Sequence, residues 1–552
     1  MKFNIAIING KIIDGTGNPW FKANIGIKNG RIEEIRRGDL KADVVIDAEG
    51  LMVCPGFIDL HSHSDMTILV NNKAENRVAQ GITTDVTGNC GSSAHTFTPE
   101  FREKMRDILR RWVRREIEVD WTTLKEWRRK LEGLGIGVNI APFCGFGTIR
   151  ASVMGDEGEG GERNEPTKEE LDEMRTLVRE AMEQGAFGMT TGLEYAPQWN
   201  AYTEEIIELC KVVAEYGGLY MSHIRSEDYY FLDAVREFIR ICRETGVRGC
   251  ISHIKVCCKE HWGDSIEALR LLEEARAKGI DIICDLYPWR YPAVSNLGRF
   301  LISPEEELEE VKEELMEKLR DPEAWRQLKE ECEKRLMDQY WKSEKRRKTL
   351  AEKGTPSGAV WDPLTFWPIV YSSRRELIGK TLAEAAQILG LSDPWEAART
   401  LYLYDQGETR LASGRMCEED VINFMKAPFS AISTDASAFD EPSPLHPRSY
   451  GTYPKLLGLY VRERKVLRLE EAIRKATSLP AQFLGLKDRG LIKEGFWADI
   501  VVFDPQSIIH RSTYDNPCRF PEGVEYVLVN GVLVVDEGKH TGALPGRILK
   551  PT

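Results

Sequence analysis

A chain of 552 residues with 42% apolar and 30% charged side chains fits a soluble globular protein, long enough for a barrel with additions. Its formal net charge of −13 argues against nucleic acid or an anionic membrane as partner, since both are gripped through basic patches. No apolar run approaches membrane-spanning length, residues 1–10 lack a signal peptide's long apolar core, and twelve cysteines without a Cys-x-x-Cys pair read as reduced thiols, so a cytoplasmic setting is expected.

The chain opens as a small sheet. Asn4-Ile5-Ala6-Ile7-Ile8 runs to Asn9-Gly10, then Lys11-Ile12-Ile13, and a second apolar stretch runs to Asn29-Gly30. Asn-Gly between apolar runs is a strong hairpin signal. The far end repeats the idea around Asn530-Gly531, with Asp499 to Phe503 as a further strand. Residues 1–50 and 485–552 are therefore expected to form one small β-sandwich flanking a central domain.

Between them, apolar runs alternate with helical patterns, which implies βα units and a parallel sheet. Eight strand candidates are 52–60, 82–88, 136–142, 186–191, 218–224, 248–254, 280–287 and 428–434, with helices over 166–184, 203–216, 228–245 and 264–278. That count predicts an α/β fold with a (β/α)8 barrel of the TIM type over 51–287 and 428–484. About 140 residues separate the last two strands, far more than a βα loop needs. This insertion, 288–427, reads as a largely helical small domain or lid. Glu305 to Lys348 looks like a solvated amphipathic helical pair, and Trp361, Phe366, Trp367 and Tyr371 look like the insertion's own core.

Only nine histidines occur, and four of them end apolar runs. Gly56-Phe57-Ile58-Asp59-Leu60-His61-Ser62-His63 puts two imidazoles at i and i+2, on one face of a strand. Ser222-His223-Ile224 and Ser252-His253-Ile254 are near-copies of each other, and Thr87-Gly88-Asn89-Cys90-Gly91 follows the second strand. Neutral imidazole and thiolate are good zinc ligands, and strand ends converge at the C-terminal face of a parallel barrel. His61, His63, Cys90, His223 and His253 are the candidate ligands. Singly, each has a plainer reading: a surface or core imidazole, or a cysteine used as a small hydrophobe. His95, His261, His510 and His540 lack the strand-end context and are taken as structural. Asp435 closes the run Ala431-Ile432-Ser433-Thr434. It is a turn aspartate or, beside a metal-activated water, the group that takes a proton and passes it to a leaving nitrogen.

The sequence resembles the amidohydrolase superfamily and, within it, the N-acyl-D-amino-acid deacylases (D-aminoacylases). The likeness runs nearly end to end. It rests on Pro55-Gly56-Phe57-Ile58-Asp59 with His61 and His63, Gly88-Asn89-Cys90-Gly91, Thr191-Gly192-Leu193-Glu194-Tyr195 and both Ser-His-Ile motifs. It continues through Asp285-Leu286-Tyr287-Pro288, Gly379-Lys380-Thr381-Leu382, Asp435, His446-Pro447-Arg448, Gly451-Thr452-Tyr453-Pro454 and Ala498-Asp499-Ile500-Val501. The resemblance implies zinc held tightly by Cys90, His223 and His253, and a second, weaker metal position at His61 and His63 shared through the cysteine. It implies Asp435 as general base and then acid, Tyr195 near the scissile carbonyl, and Lys255, Tyr287 and Arg448 around the substrate carboxylate. Without it, Lys255 and Arg448 would be read as surface and loop cations.

The implied partner is a small N-acyl amino acid. Side-chain and acyl preference stay open, since the insertion departs from the family pattern, and a D preference rests on the resemblance alone. A homo-oligomer is compatible with the chain. Two alternatives remain. A cyclic amidohydrolase of the hydantoinase or dihydroorotase type shares the histidine pair, but its two-metal members use a lysine at the end of strand four, and residues 185–200 contain none. A non-catalytic metal-binding relative would keep the fold alone.

Overall fold

The computed structural model describes residues 2–155, 165–303, 306–356, 363–441 and 445–551, so Trp361 lies outside the described residues. Eight strands run parallel in sequence order: Phe57–Asp59, Ile82–Thr87, Asn139–Pro142 (continued by Cys144–Gly145), Gly188–Gly192, Leu219–His223, Arg248–Ile251, Ile282–Leu286 and Ser430–Ile432. The ladders form a three-stranded and a six-stranded sheet. Phe143 marks the break between them, and its N–H reaches Thr87 O at 2.9 Å. The first and eighth strand ends meet through a parallel bridge, Ser62 to Ala436, and through Asp435 N–H donating to His61 O at 2.8 Å.

Most of these strands are buried at every position, as parallel strands covered on both faces must be. Helices Lys168–Glu183, Thr203–Glu215, Phe231–Thr245 and Ser265–Ala277 fall where the periodicity puts them. Local chemistry fixes the start of the first: the Thr167 side chain accepts from Glu170 N–H while Glu170 caps Thr167 N–H. Its core face is Met174, Val178, Ala181 and Met182.

The predicted strand 52–60 is in fact two. Met52–Pro55 belongs to another sheet, antiparallel to Ile500–Phe503 and parallel to Lys11–Ile12. Gly56 is the joint, where a Cβ would lie 2.2 Å from Thr83 Oγ1, so only glycine lets the chain pass this close. Two helices missing from the predicted series, Arg102–Val113 and Leu124–Leu134, follow the second strand.

The chain ends build a four-stranded sheet from residues 2–47 and a seven-stranded sheet that mixes both ends. Ile7, Ile25, Ile27, Val53, Ile500, Val502 and Leu528 pack in one apolar cluster drawn from both sheets. Asn29-Gly30 and Asn530-Gly531 are two-residue hairpin turns as expected. Asn9-Gly10 is not. Lys2–Ile8 pairs with Asn24–Lys28 and Lys41–Asp47, and Asn9, at φ 62°, bends the chain across to the other sheet.

The insertion contains helices Leu308–Arg320 and Pro322–Glu352, the expected charged pair, followed by Leu382–Leu389 and Pro394–Tyr404. It also has a three-stranded antiparallel sheet that periodicity did not reveal: Val294–Asn296, Ile369–Tyr371 and Arg410–Ala412. A separate apolar core including Leu315, Trp325, Trp367, Leu401 and Tyr402 holds it together. Among the described residues, no helix is long and apolar enough to cross a membrane.

Candidate active site

The first and eighth strand ends are locked from below. Asp59 accepts from Thr434 N–H at 2.9 Å and from the Arg77 guanidinium, while Arg77 also bonds Asp85 on the second strand at 2.7 Å and Thr434 Oγ1 at 2.9 Å. All of these groups are buried. His61 therefore leaves its strand at a fixed angle toward Asp435, which follows Thr434.

Three site residues have positive φ: Cys90 at 52°, His253 at 37° and Asp435 at 51°. Left-handed backbone is uncommon outside glycine and clusters at functional sites. Gly88, at φ 80°, makes the cysteine loop feasible, since a Cβ there would lie 2.0 Å from Phe143 O.

The five candidate ligands converge. Cys90 Sγ lies 3.3 Å from His61 Nε2, 3.4 Å from His253 Nε2 and 3.9 Å from His223 Nδ1, and His223 Nδ1 lies 3.1 Å from His253 Nε2. His63 Nε2 and His61 Nε2 stand 3.3 and 3.7 Å from Asp435 Oδ1. Among the described residues three trios of donor atoms each fall within 4.8 Å: His61/Cys90/His253 and His61/His63/Asp435, which share His61, and His223/Glu227/His253. The donor set fits a borderline-soft divalent cation such as zinc. Electrostatics agree. Burial, aided by neighbouring cations, holds His61 and His253 well below the ordinary imidazole value, and burial takes His223 down to about 4, so the rings are neutral and ready to bind. Burial and the Asp435 carboxylate push the Cys90 thiol well up, which a bound cation would reverse. Burial alone would raise Asp435, but the Arg448 guanidinium, with the hydrogen bond from His63, holds it well below the ordinary carboxylate range.

A cavity of about 640 Å³ opens above this cluster, lined by His63, Cys90, His223, His253 and Asp435 together with Tyr195, Lys255, Tyr287 and Arg448. Every sequence-predicted site residue thus meets at one place, with His61 fully buried beneath it. Tyr195 OH is 3.2 Å from His223 Nδ1. Lys255 is buried, paired with Glu227 and 2.9 Å from His253 O. Arg448 Nη1 is 2.8 Å from Asp435 Oδ2, and both cations flank the Tyr287 ring, at 5.5 Å for Lys255 Nζ and 4.9 Å for Arg448 Cζ.

Sequence reasoning missed five contributors. Glu227 Oε1 lies 3.0 Å from His253 Nδ1, and Glu194 Oε2 lies 3.2 Å from His223 Nε2. Each ring thus turns one nitrogen to the donor cluster and the other toward a carboxylate, as metal-binding histidines do, though His223 Nε2 makes no well-aligned hydrogen bond to Glu194. Burial and Glu227 push Glu194 well above the usual carboxylate range. Trp112, on the unanticipated helix Arg102–Val113, packs 5.6 Å from the His63 ring. Phe366 and Trp367, assigned from sequence to the insertion's core, do pack in or against that core and also line the cavity.

The sequence matches the amidohydrolase family over residues 44–323 and 425–535. It is 33% identical over 99% of its length to an N-acyl-D-aspartate deacylase of Alcaligenes xylosoxydans xylosoxydans, covering 94% of that protein. A D-aminoacylase of the same organism is 32% identical over the whole chain, with 98% of that protein covered. Among solved structures, the N-acyl-D-glutamate deacylase of Bordetella bronchiseptica, complexed with zinc and a phosphonate mimic of the tetrahedral intermediate, superposes with a TM-score of 0.75 at 29% identity, covering all of both chains.

Proposed function

We propose that this chain, which belongs to the amidohydrolase family, hydrolyses N-acyl-D-amino acids to a carboxylate and a free D-amino acid with a metal cofactor. The observation that carries the reading is the position of Asp435, 3.3 Å from His63 and 2.8 Å from Arg448, on the wall of the cavity above a Cys/His cluster. A proton carrier, metal ligands and a carboxylate-binding arginine share that one space. In this reading the two parallel sheets close as a (β/α)8 barrel over 51–287 and 428–484, residues 1–50 and 485–552 form a sandwich, and 288–427 cover the mouth. Cys90, His223 and His253 would hold a tight zinc, and His61 and His63 a second, weaker ion sharing the cysteine.

The bound metal would supply an activated water and a polarised scissile carbonyl. Asp435 accepts the water's proton as oxygen adds to the carbonyl carbon, then delivers it to the amide nitrogen as the C–N bond breaks. Tyr195, beside His223, orients the carbonyl. Lys255, Tyr287 and Arg448 hold the substrate's carboxylate, which makes the enzyme a deacylase of amino acids rather than a general amidase. The cyclic-amide alternative is weakened by the strand-four end, where Glu194 and Tyr195 stand and no lysine bridges metals.

Purified protein should cleave N-acetyl-D-amino acids and spare their L counterparts, and loss of activity on chelation should return with zinc. Equal rates on both enantiomers would remove the D assignment. Cys90→Ala should carry substoichiometric zinc by elemental analysis, and a full complement would make Cys90 a packing residue.

A further inference from the structure

We infer that Arg448 is exchanged between two carboxylates: in the free enzyme it holds Asp435, and the substrate's carboxylate draws it away, so that recognition of the substrate releases the proton carrier. The inference rests on the deacylase reading above.

The two cations beside Tyr287 are not equivalent. Lys255 Nζ contacts Glu227 Oε1 at 2.5 Å and donates to His253 O at 2.9 Å, so two fixed acceptors hold the ammonium. It is anchored. Arg448 is not. Its Nη1 is buried and 2.8 Å from Asp435 Oδ2, yet makes no well-aligned hydrogen bond. The Tyr287 hydroxyl, under the same guanidinium, is also buried without a partner. The Nη1 donors and a hydroxyl thus face the cavity wanting an acceptor, and a buried donor without one is costly. A substrate carboxylate satisfies both, and can take the guanidinium through two parallel bonds where Asp435 offers one poor contact.

The exchange matters because Asp435 divides its oxygens. Oδ1 faces His63 and His61, and Oδ2 faces Arg448. While the guanidinium stands 2.8 Å from Oδ2, it occupies an approach that the proton of an attacking water would need. Removing Arg448 frees it at the moment when a scissile bond is present. A substrate without a carboxylate therefore loses turnover as well as binding.

The test supplies the substrate in two pieces. With wild-type enzyme, the descarboxy analogue of the best N-acetyl-D-amino acid should show a reduced kcat, and added formate should raise its turnover several-fold while inhibiting cleavage of the parent acid. Formate that leaves the descarboxy analogue unchanged, or slows it, overturns the exchange. Binding gives a second readout. Asp435→Asn removes the competing carboxylate, so the uncleavable N-methylsulfonyl-D-amino acid should bind it about 3- to 10-fold more tightly than wild type by calorimetry, the range expected for losing one competing charged contact. The gain should vanish for the descarboxy sulfonamide. Equal or weaker binding to the variant overturns the proposal. Failure of wild type to cleave any N-acetyl-D-amino acid would overturn the deacylase reading, and the exchange with it.

Discussion

Two clusters of charge, one buried and one half-buried, lie one residue apart in the eighth strand's loop, and they are built on opposite terms. Below, Thr434 joins Arg77, Asp59 and Asp85, where all three guanidinium nitrogens find acceptors and nothing reaches solvent. Above, Asp435 joins His61, His63 and Arg448, where Arg448 Nη1 and the nearby Tyr287 hydroxyl lack hydrogen-bond partners. A saturated network fixes the strands it ties, and a network left short of partners awaits a ligand. The difference separates residues that hold the site from residues that do its chemistry.

Substitutions in the two clusters should therefore fail in different ways. Asp435→Asn should keep fold and metal but lower kcat by about 10²–10⁴-fold, since the amide cannot accept the proton. A variant within a few-fold of wild type would remove Asp435 as the carrier. Arg77→Met should do the reverse. It strands two carboxylates in the core and should cost about 3–5 kcal/mol in chemical denaturation, as breaking buried ion pairs does. Stability within 1 kcal/mol of wild type, on the order of a single hydrogen bond, would mean the lower cluster is not structural. Between them stands Glu194→Gln, which replaces the carboxyl group 3.2 Å from His223 Nε2 with an amide. Zinc affinity, read by chelator competition, should fall about tenfold, the low end for such supporting residues. An unchanged affinity would mean that Glu194 only fills space.

The upper cluster was largely legible in the sequence because its signals are scarce. His61, His63, His223 and His253 end apolar runs in a chain with nine histidines, and a strand end is a place of known direction. Glu194 and Glu227 were not legible, because 88 acidic residues offer no contrast and only folding puts these two behind imidazole rings. The helix Arg102–Val113 reads as a charged surface helix, and nothing local says that Trp112 will reach His63. Asn9-Gly10 shows a related limit. Turn residues specify a bend, and the strand that the bend leads to is chosen by packing partners elsewhere, here Met52 and Val53.

The smallest effect sharpens the comparison from the structural side. His95 is fully buried, shares Nδ1 with Thr96 Oγ1 at 2.9 Å, packs 5.1 Å from the Trp127 ring and has no partner at Nε2. Burial, with Arg128 nearby, takes it down to about 3 from an ordinary 6.5. It is neutral like His61, His223 and His253, but among the described residues no metal-binding group of donors surrounds it. Below pH 6.5 the unfolded chain binds a proton at this position that the folded chain refuses. Its contribution to stability is therefore complete above pH 6.5 and is lost progressively as pH falls toward 3. His95→Gln keeps a polar group and removes the titration. Between pH 6 and 5, the variant's unfolding free energy should fall less steeply than wild type by about one proton's worth, roughly 1.4 kcal/mol per pH unit at most, with zinc affinity and kcat unchanged. Parallel stability curves would show that His95 titrates normally, and an altered zinc affinity would move it from the scaffold into the site.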